Sequence, residues 1–71
     1  MNRSEQNFEI VEDLGIVGRK EDGTVKKFVL IKWYNKPPVY EVREFKPDGT
    51  AGRRPGLTPE ELENLREILN I

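Results

Sequence analysis

The sequence contains no cysteine and no histidine. Without cysteine it cannot form a disulfide or a thiolate metal site, and without histidine only carboxylates remain as side-chain metal ligands. These absences also exclude a Cys–His pair, a Ser–His–Asp triad and a general base whose ordinary pKa lies near 7. No Asp and Glu residues are arranged as a catalytic pair. We therefore expect a protein that is not an enzyme and that uses no cofactor and no metal.

Long apolar segments are also missing. No run of apolar residues approaches the ~20 that are needed to span a bilayer. Residues 1–7 lack the apolar region of a signal peptide. The sequence therefore predicts a cytoplasmic protein with no membrane association.

The chain is short, at 71 residues, which predicts one domain over residues 1–71. A domain of this size buries only about 60% of the surface that its unfolded chain exposes. Small folds usually compensate with disulfides, a metal or oligomerisation. Because the first two are excluded or unsupported here, we expect a homodimer.

The net charge of −1 hides an uneven distribution of charge. Residues 1–18 contain one base against four acids, and residues 58–71 again contain one base against four acids. Residues 19–57 contain ten bases against five acids. Such a basic middle segment is typical of proteins that bind polyanions, although chance clustering on a solvated surface gives the same pattern.

Four segments have the composition of β-strands, at about residues 7–17, 25–34, 39–46 and 50–54. Gly15 and Gly18 predict a bulge or bend in the first. The fourth is short and could equally be an extended arm. Asp48-Gly49, after a proline, predicts a tight turn before it.

The predicted helix has clear boundaries. Thr58 is a good N-cap, Pro59 suits the first helical position, and Glu61 completes a capping box. An apolar stripe follows at helical spacing: Leu62, Leu65, Ile68 and Leu69. We expect this stripe to pack against the sheet. The fold class is then α+β, in the order β-β-β-β-α, with a curved antiparallel sheet covered on one face by a C-terminal helix.

The second strand alternates bases with apolar and aromatic residues on one face: Lys26, Phe28, Leu30, Lys32 and Tyr34. We expect the opposite face to belong to the core. In the third strand we expect Tyr40 and Val42 to point to that core. Arg43 and Phe45 would then join the basic and aromatic face, which we expect to be open.

This open face has the chemistry that single strands require. Exposed bases stack on Phe or Tyr, at about 1–3 kcal/mol each, while Lys and Arg contact phosphates. A duplex hides the faces of its bases, so the pattern predicts a single-stranded ligand. The alternative is that Phe28, Tyr34 and Phe45 pack against a second subunit or a loop. Arg53 and Arg54 are either further phosphate contacts or part of a solubilising loop.

A succession of short motifs resembles the Positive Cofactor Four family, also described as the transcriptional coactivator C-terminal domain. These are residues 40–45 (YEVREF), 47–49 (PDG), 52–54 (GRR) and 57–62 (LTPEEL). Residues 31–33 (IKW) and 8–10 (FEI) resemble its bacterial YdbC-type branch. The resemblance covers about nine-tenths of the chain.

The resemblance implies a β-β-β-β-α homodimer that binds single-stranded DNA through its curved sheet with little sequence preference. It implies a role in transcription regulation or in DNA replication and repair, a nucleoid association and contacts with that machinery. Arg43 matches the arginine of the family's hydrophobic-Arg-Glu-aromatic motif, and Lys32 and Lys26 fall at or beside basic positions. Tyr34 falls where the eukaryotic type carries a stacking aromatic. Lys46, by contrast, stands where that type has tryptophan.

The sequence leaves two other functions open. Single-stranded RNA would use the same stacking and phosphate contacts, because recognition of the 2′-hydroxyl leaves no motif here. A protein-interaction module could dock a partner on the same aromatic face. The predicted nucleic-acid-binding residues are Lys26, Phe28, Lys32, Tyr34, Arg43, Phe45, Arg53 and Arg54.

Overall fold

The computed structural model describes residues 8–70. In chain order it contains β1 (Phe8–Arg19), β2 (Val25–Trp33), β3 (Val39–Phe45) and α1 (Pro59–Leu69). The strands form an antiparallel sheet in the order β1-β2-β3. The predicted α+β class, with an antiparallel sheet and one C-terminal helix, is confirmed. The predicted strand start at Asn7 lies outside the described residues.

Two side-chain-stabilised turns accompany the last two strands. Before β2, Asp22 Oδ1 accepts a hydrogen bond of 2.9 Å from the backbone N–H of Thr24. After β3, Asp48 Oδ1 accepts from both the N–H and the hydroxyl of Thr50, at 2.9 and 2.8 Å. Gly49 has a φ of +91°, which is the conformation for which the turn requires glycine.

β1 is irregular along its whole length. Its pairing with β2 shifts register between Ile10 and Glu12, between Asp13 and Gly15, and between Ile16 and Gly18. Each shift leaves one residue of β1 without a partner on β2. Bulges of this kind bend a strand and increase its twist. The predicted irregularity around the two glycines is confirmed.

The helix begins as the sequence predicts. Thr58 Oγ1 accepts from the N–H of Glu61 at 3.1 Å, and the Glu61 carboxylate accepts from the N–H of Thr58 at 2.9 Å, which completes the capping box. Asn70 ends the helix in the left-handed region and donates its N–H to the carbonyl of Arg66. Asn64 donates to the carbonyl of Val17, so the helix lies on β1.

Residues 50–54 follow β3 as an extended arm. Ala51 forms one isolated bridge with Phe45. The N–H of Glu44 donates to the carbonyl of Arg53 at 3.1 Å, and the N–H of Gly52 donates to the carbonyl of Glu44 at 2.7 Å. Within residues 8–70 this arm is not a fourth strand of the sheet, because its pairing does not extend beyond the end of β3.

The buried core lies on one face of β2 and β3. Val29 and Ile31 are fully buried there together with Phe45 and Ala51. Partly buried apolar residues surround this cluster: Phe8, Val25 and Trp33.

The helix lies on the other face. Lys26 of β2 contacts Glu61 of the helix, and Gly15, which pairs with Phe28, lies against Ile68. Within the described residues no helical side chain is fully buried. The apolar stripe therefore packs on the sheet only in part.

The strand register overturns the predicted grouping of Arg43 and Phe45 with Lys32. Phe45 pairs with Val25 and Arg43 pairs with Lys27, so both lie on the face of the buried cluster. Phe45 is only 7% exposed, whereas Tyr40 is 61% exposed. The prediction that Tyr40 and Val42 point to that core was therefore wrong. The large Phe45 ring is buried against Val29, Ile31 and Ala51, and this burial decides which side chains of β3 face the core.

Candidate nucleic-acid interface

Four cations surround one carboxylate where the arm passes the end of β3. Lys20, Lys26, Arg53 and Arg54 line a cleft of about 330 Å³ around Glu44. We call these five residues the basic cleft. Lys20 comes from the turn after β1 and the arginines come from the arm, so three separate parts of the chain supply the positive charge.

Lys26 is the cation most firmly held in the basic cleft. Its ammonium donates to Glu61 Oε1 at 2.8 Å and to the carbonyl of Gly56 at 3.1 Å, and only 12% of its side chain is exposed. These contacts tie the start of the helix to β2. Its predicted phosphate contact has no direct support here, because its charge is already compensated.

Arg53 and Arg54 have exposed side chains. Among residues 8–70 neither guanidinium forms a salt bridge. Arg53 nevertheless helps to lower the pKa of Glu44, near the end of β3, and Arg54 helps to lower the pKa of Glu41, near its start. Both are placed to meet an anion at the sheet edge.

Three aromatic rings gather where β1 begins and β2 ends. The ring of Trp33 lies 5.2 Å from that of Phe8 and 6.5 Å from that of Tyr34, measured between centroids. We call Phe8, Trp33 and Tyr34 the ring cluster. Tyr34 is its most open member, with 53% of the residue exposed. Its backbone has a φ of +50°, which is unusual for an aromatic residue.

Arg43 covers Trp33. Its guanidinium carbon lies 4.7 Å from the centroid of the indole, within the range of a cation–π contact. Its Nε donates to Glu41 at 2.7 Å and one terminal nitrogen donates to the carbonyl of Gly52 at 2.8 Å. Trp33 Nε1 also donates to Glu41, at 3.1 Å. Arg43 therefore fixes both the indole and the arm.

Glu41 is ionised in this arrangement. Burial alone would raise its pKa, but the hydrogen bonds from Arg43 and Trp33, together with the charges of Arg43 and Arg54, outweigh burial and lower the pKa. Arg43 links this arrangement to the arm, because it contacts both Trp33 and the carbonyl of Gly52.

Lys32 and Tyr34 also lie together. The ammonium of Lys32 donates to the carbonyl of Tyr34 at 2.8 Å, on the exposed surface. The two residues line a small depression of about 240 Å³ with Phe8 and Glu9. Of the predicted residues, this pair fits the expected combination of a base beside an exposed ring.

Phe28 lies apart from the ring cluster, on the helix side of the sheet. Its ring stacks on that of Tyr40 at 5.8 Å between centroids. Phe45 is in the buried core. The eight predicted residues thus do not share one face: Lys32, Tyr34 and Arg43 lie at the ring cluster, and Lys26, Arg53 and Arg54 lie at or near the basic cleft.

Sequence reasoning missed Phe8, Trp33 and Lys20. Trp33 lies on the face of β2 opposite Lys32, which the sequence predicts to belong to the core, and only its contact with the Tyr34 ring shows that it borders an exposed aromatic side chain. Lys20 follows β1, far from the arm in sequence. Its approach to Glu44 depends on a turn that the sequence does not place relative to β3.

Within the described part of the chain, no group of three or more acidic side chains is placed to hold a metal ion. Among the same residues, no helix is long and apolar enough to cross a membrane.

No family model matches this sequence. No curated protein sequence matches it significantly either.

Proposed function

We propose that the protein binds single-stranded DNA with little sequence preference. The observation that carries the proposal is the link that Arg43 makes between the ring cluster and the arm that bears Arg53 and Arg54. Tyr34 offers a ring face for stacking with Lys32 beside it, and Arg53 and Arg54 offer positive charge at the basic cleft. Stacking on rings and contacts to phosphates are the two elements of sequence-tolerant binding to single strands.

The proposed path crosses the sheet edge instead of following one face. Bases stack on Tyr34 and on the rim of Trp33, and the backbone passes Arg54 toward Arg53 and Lys20. Arg43 acts as a positioning residue, because its hydrogen bonds hold both the indole and the arm. The motif succession that resembles the Positive Cofactor Four family supports the same ligand and a role in transcription regulation or DNA replication and repair.

We also propose that the protein acts as a homodimer. The apolar stripe of the helix is left open, with Leu62 48% and Leu69 40% exposed. On the adjoining sheet face, Phe28 stacks on Tyr40, which is mostly exposed. A second copy that covers these apolar surfaces would add the burial that a single small chain lacks. Two copies would also double the binding surface. In the dimer, the short arm of each chain would lie beside the sheet of the other chain as its fourth strand.

The binding proposal is tested with Trp33, the single tryptophan of the sequence. Its fluorescence is recorded while a thymidine oligonucleotide is added, and a hairpin duplex of equal charge is the control. We expect quenching and saturable binding with the single strand, and weaker binding with the duplex. Equal or tighter binding to the duplex, or no binding at low salt, would contradict the proposal.

A further inference from the structure

Glu44 is the only carboxylate of the basic cleft, and its position is fixed from three sides. Its backbone N–H and carbonyl are both hydrogen-bonded to the arm. Its carboxylate lies 2.8 Å from the ammonium of Lys20, and only 10% of its side chain is exposed. A carboxylate with so little exposure and so firm a backbone is held in place before any ligand arrives.

The four cations of the basic cleft differ in how far their charges are already compensated. Lys26 is bound to Glu61 and Lys20 is bound to Glu44. Arg53 and Arg54 form no salt bridge among residues 8–70. If Lys20 left Glu44, it would be a third uncompensated cation beside the two arginines.

The surroundings of Glu44 favour its charged form. The hydrogen bond from Lys20 lowers the pKa of Glu44 more than burial raises it, and the charges of Lys20, Arg53 and Lys26 lower it further. At neutral pH the cleft therefore contains a negative charge of its own, paired with the ammonium of Lys20.

We propose that Glu44 is an internal counter-anion that occupies part of a phosphate-binding site and limits its affinity. A phosphate of a bound strand takes Lys20 from Glu44 and is held by Lys20, Arg53 and Arg54. This inference rests on the proposed function and names the part of the surface that takes the phosphate. Glu44, although nearly buried, thereby weakens the phosphate binding that the neighbouring cations provide.

The variant Glu44→Gln removes the charge of Glu44 and keeps the shape of its side chain. Because this variant frees Lys20 for a phosphate, we expect it to bind the thymidine oligonucleotide several-fold more tightly than the wild type at low salt. We also expect the slope of log K against log salt to become steeper by about 0.7, the value for one phosphate contact on a single strand, because Glu44 no longer offsets the charge of Lys20. Circular dichroism checks that the variant is folded.

The matched control is Glu63→Gln. It removes the same charge from the helix surface, where Glu63 is well exposed and pairs only with Arg66 among the described residues. We expect the change in net charge to raise the affinity slightly in both Glu44→Gln and Glu63→Gln. If folded Glu44→Gln binds no more tightly than Glu63→Gln, Glu44 does not limit binding and the inference is wrong.

A second probe separates the cleft from the proposed function. Inorganic pyrophosphate is titrated into the ¹⁵N-labelled protein while the side-chain Nε–H signals of Arg53 and Arg54 are followed by NMR. Shifts of both signals at lower pyrophosphate concentration in Glu44→Gln than in wild type support the anion site, even if no oligonucleotide binds. Unchanged arginine signals in both proteins overturn it.

Discussion

Tyr34 combines an exposed ring with a left-handed backbone, a conformation that costs an L-residue roughly 1–2 kcal/mol. Such outliers cluster at functional sites, where the surrounding structure maintains them. Its neighbours are Lys32, which donates to its carbonyl, and Trp33. In this conformation the Tyr34 ring is exposed to solvent. Glycine at this position would adopt the same positive φ without steric strain.

The variant Tyr34→Gly distinguishes the contribution of the ring to binding from the effect of the backbone conformation on stability. We expect it to lose about 1–3 kcal/mol of binding free energy for a thymidine oligonucleotide, because a stacking ring is gone. Its thermal midpoint should not fall, because glycine adopts a positive φ without strain. Tyr34→Phe keeps the ring and should bind as the wild type does. Titration and thermal melting of the three proteins measure both effects. Wild-type affinity in Tyr34→Gly would remove Tyr34 from the site.

For Phe45 we expect substitution to lower stability, in contrast to Tyr34, where we expect it to lower binding. Its ring is buried beside Val29 and Ile31 and lies 6.2 Å from that of Phe8. Phe45→Ala should lower the free energy of unfolding by about 3–5 kcal/mol, the range for removing a buried ring. Urea unfolding followed by circular dichroism measures the loss. A loss below about 1 kcal/mol would place Phe45 on an open surface after all.

At the scale of elements, the start of the helix depends on one carboxylate with two roles. Glu61 accepts from the N–H of Thr58 and from the ammonium of Lys26. The hydrogen bond from Lys26, and then that from Thr58, lower the pKa of Glu61 below its usual value. The folded state therefore prefers the charged form of Glu61.

This preference predicts the direction of a pH effect. Because the pKa is lower in the folded chain, Glu61 contributes stability that is fully present above its ordinary pKa of 4.5 and is lost as the pH falls through the folded pKa. Glu61→Gln should lower the melting temperature at neutral pH and should flatten its fall under acid. Melting curves between about pH 7 and pH 3, compared with Glu63→Gln, show the difference. Parallel curves for all three proteins would contradict it.

The sequence predicted elements better than it predicted the contacts between them. The helix was located at its first residue because the capping box and Pro59 act within one turn of the chain. The face of Phe45 was assigned wrongly, because a strand's parity depends on its partner strand and a shift of one residue inverts every side chain. Likewise, the pairing of Lys20 with Glu44 joins residues far apart in sequence.

At the scale of the whole molecule, the proposed dimer has a measurable mass. Sedimentation equilibrium at micromolar concentration should give about twice the chain mass of 8.3 kDa. Leu62→Glu puts a charge into the open apolar stripe and should give the single-chain mass. Glu67 lies on a different side of the same helix, so the variant Glu67→Gln should leave the dimer intact. A wild type of single-chain mass, still folded, would rule out the dimer.

The salt response of binding also belongs to the whole molecule. If Lys32, Arg53 and Arg54 each neutralise one phosphate while Glu44 offsets the charge of Lys20, log K should fall with log salt at a slope of about −2 per chain. Arg54→Gln should make the slope shallower by about 0.7, whereas Tyr34→Gly should leave it unchanged, because stacking releases no counterions. Titrations at four salt concentrations provide the slopes. A slope near zero in the wild type would indicate an apolar docking surface.

The three register shifts of β1 have a consequence for the behaviour of the protein in concentrated solution. β1 is an edge of the sheet and is 12 residues long. A straight edge of that length is a template on which other chains can add strands and aggregate. The shifts bend and twist β1, and Glu9, Glu12 and Asp13 add negative charge to it. We therefore expect this bent and charged edge to disfavour uncontrolled sheet extension.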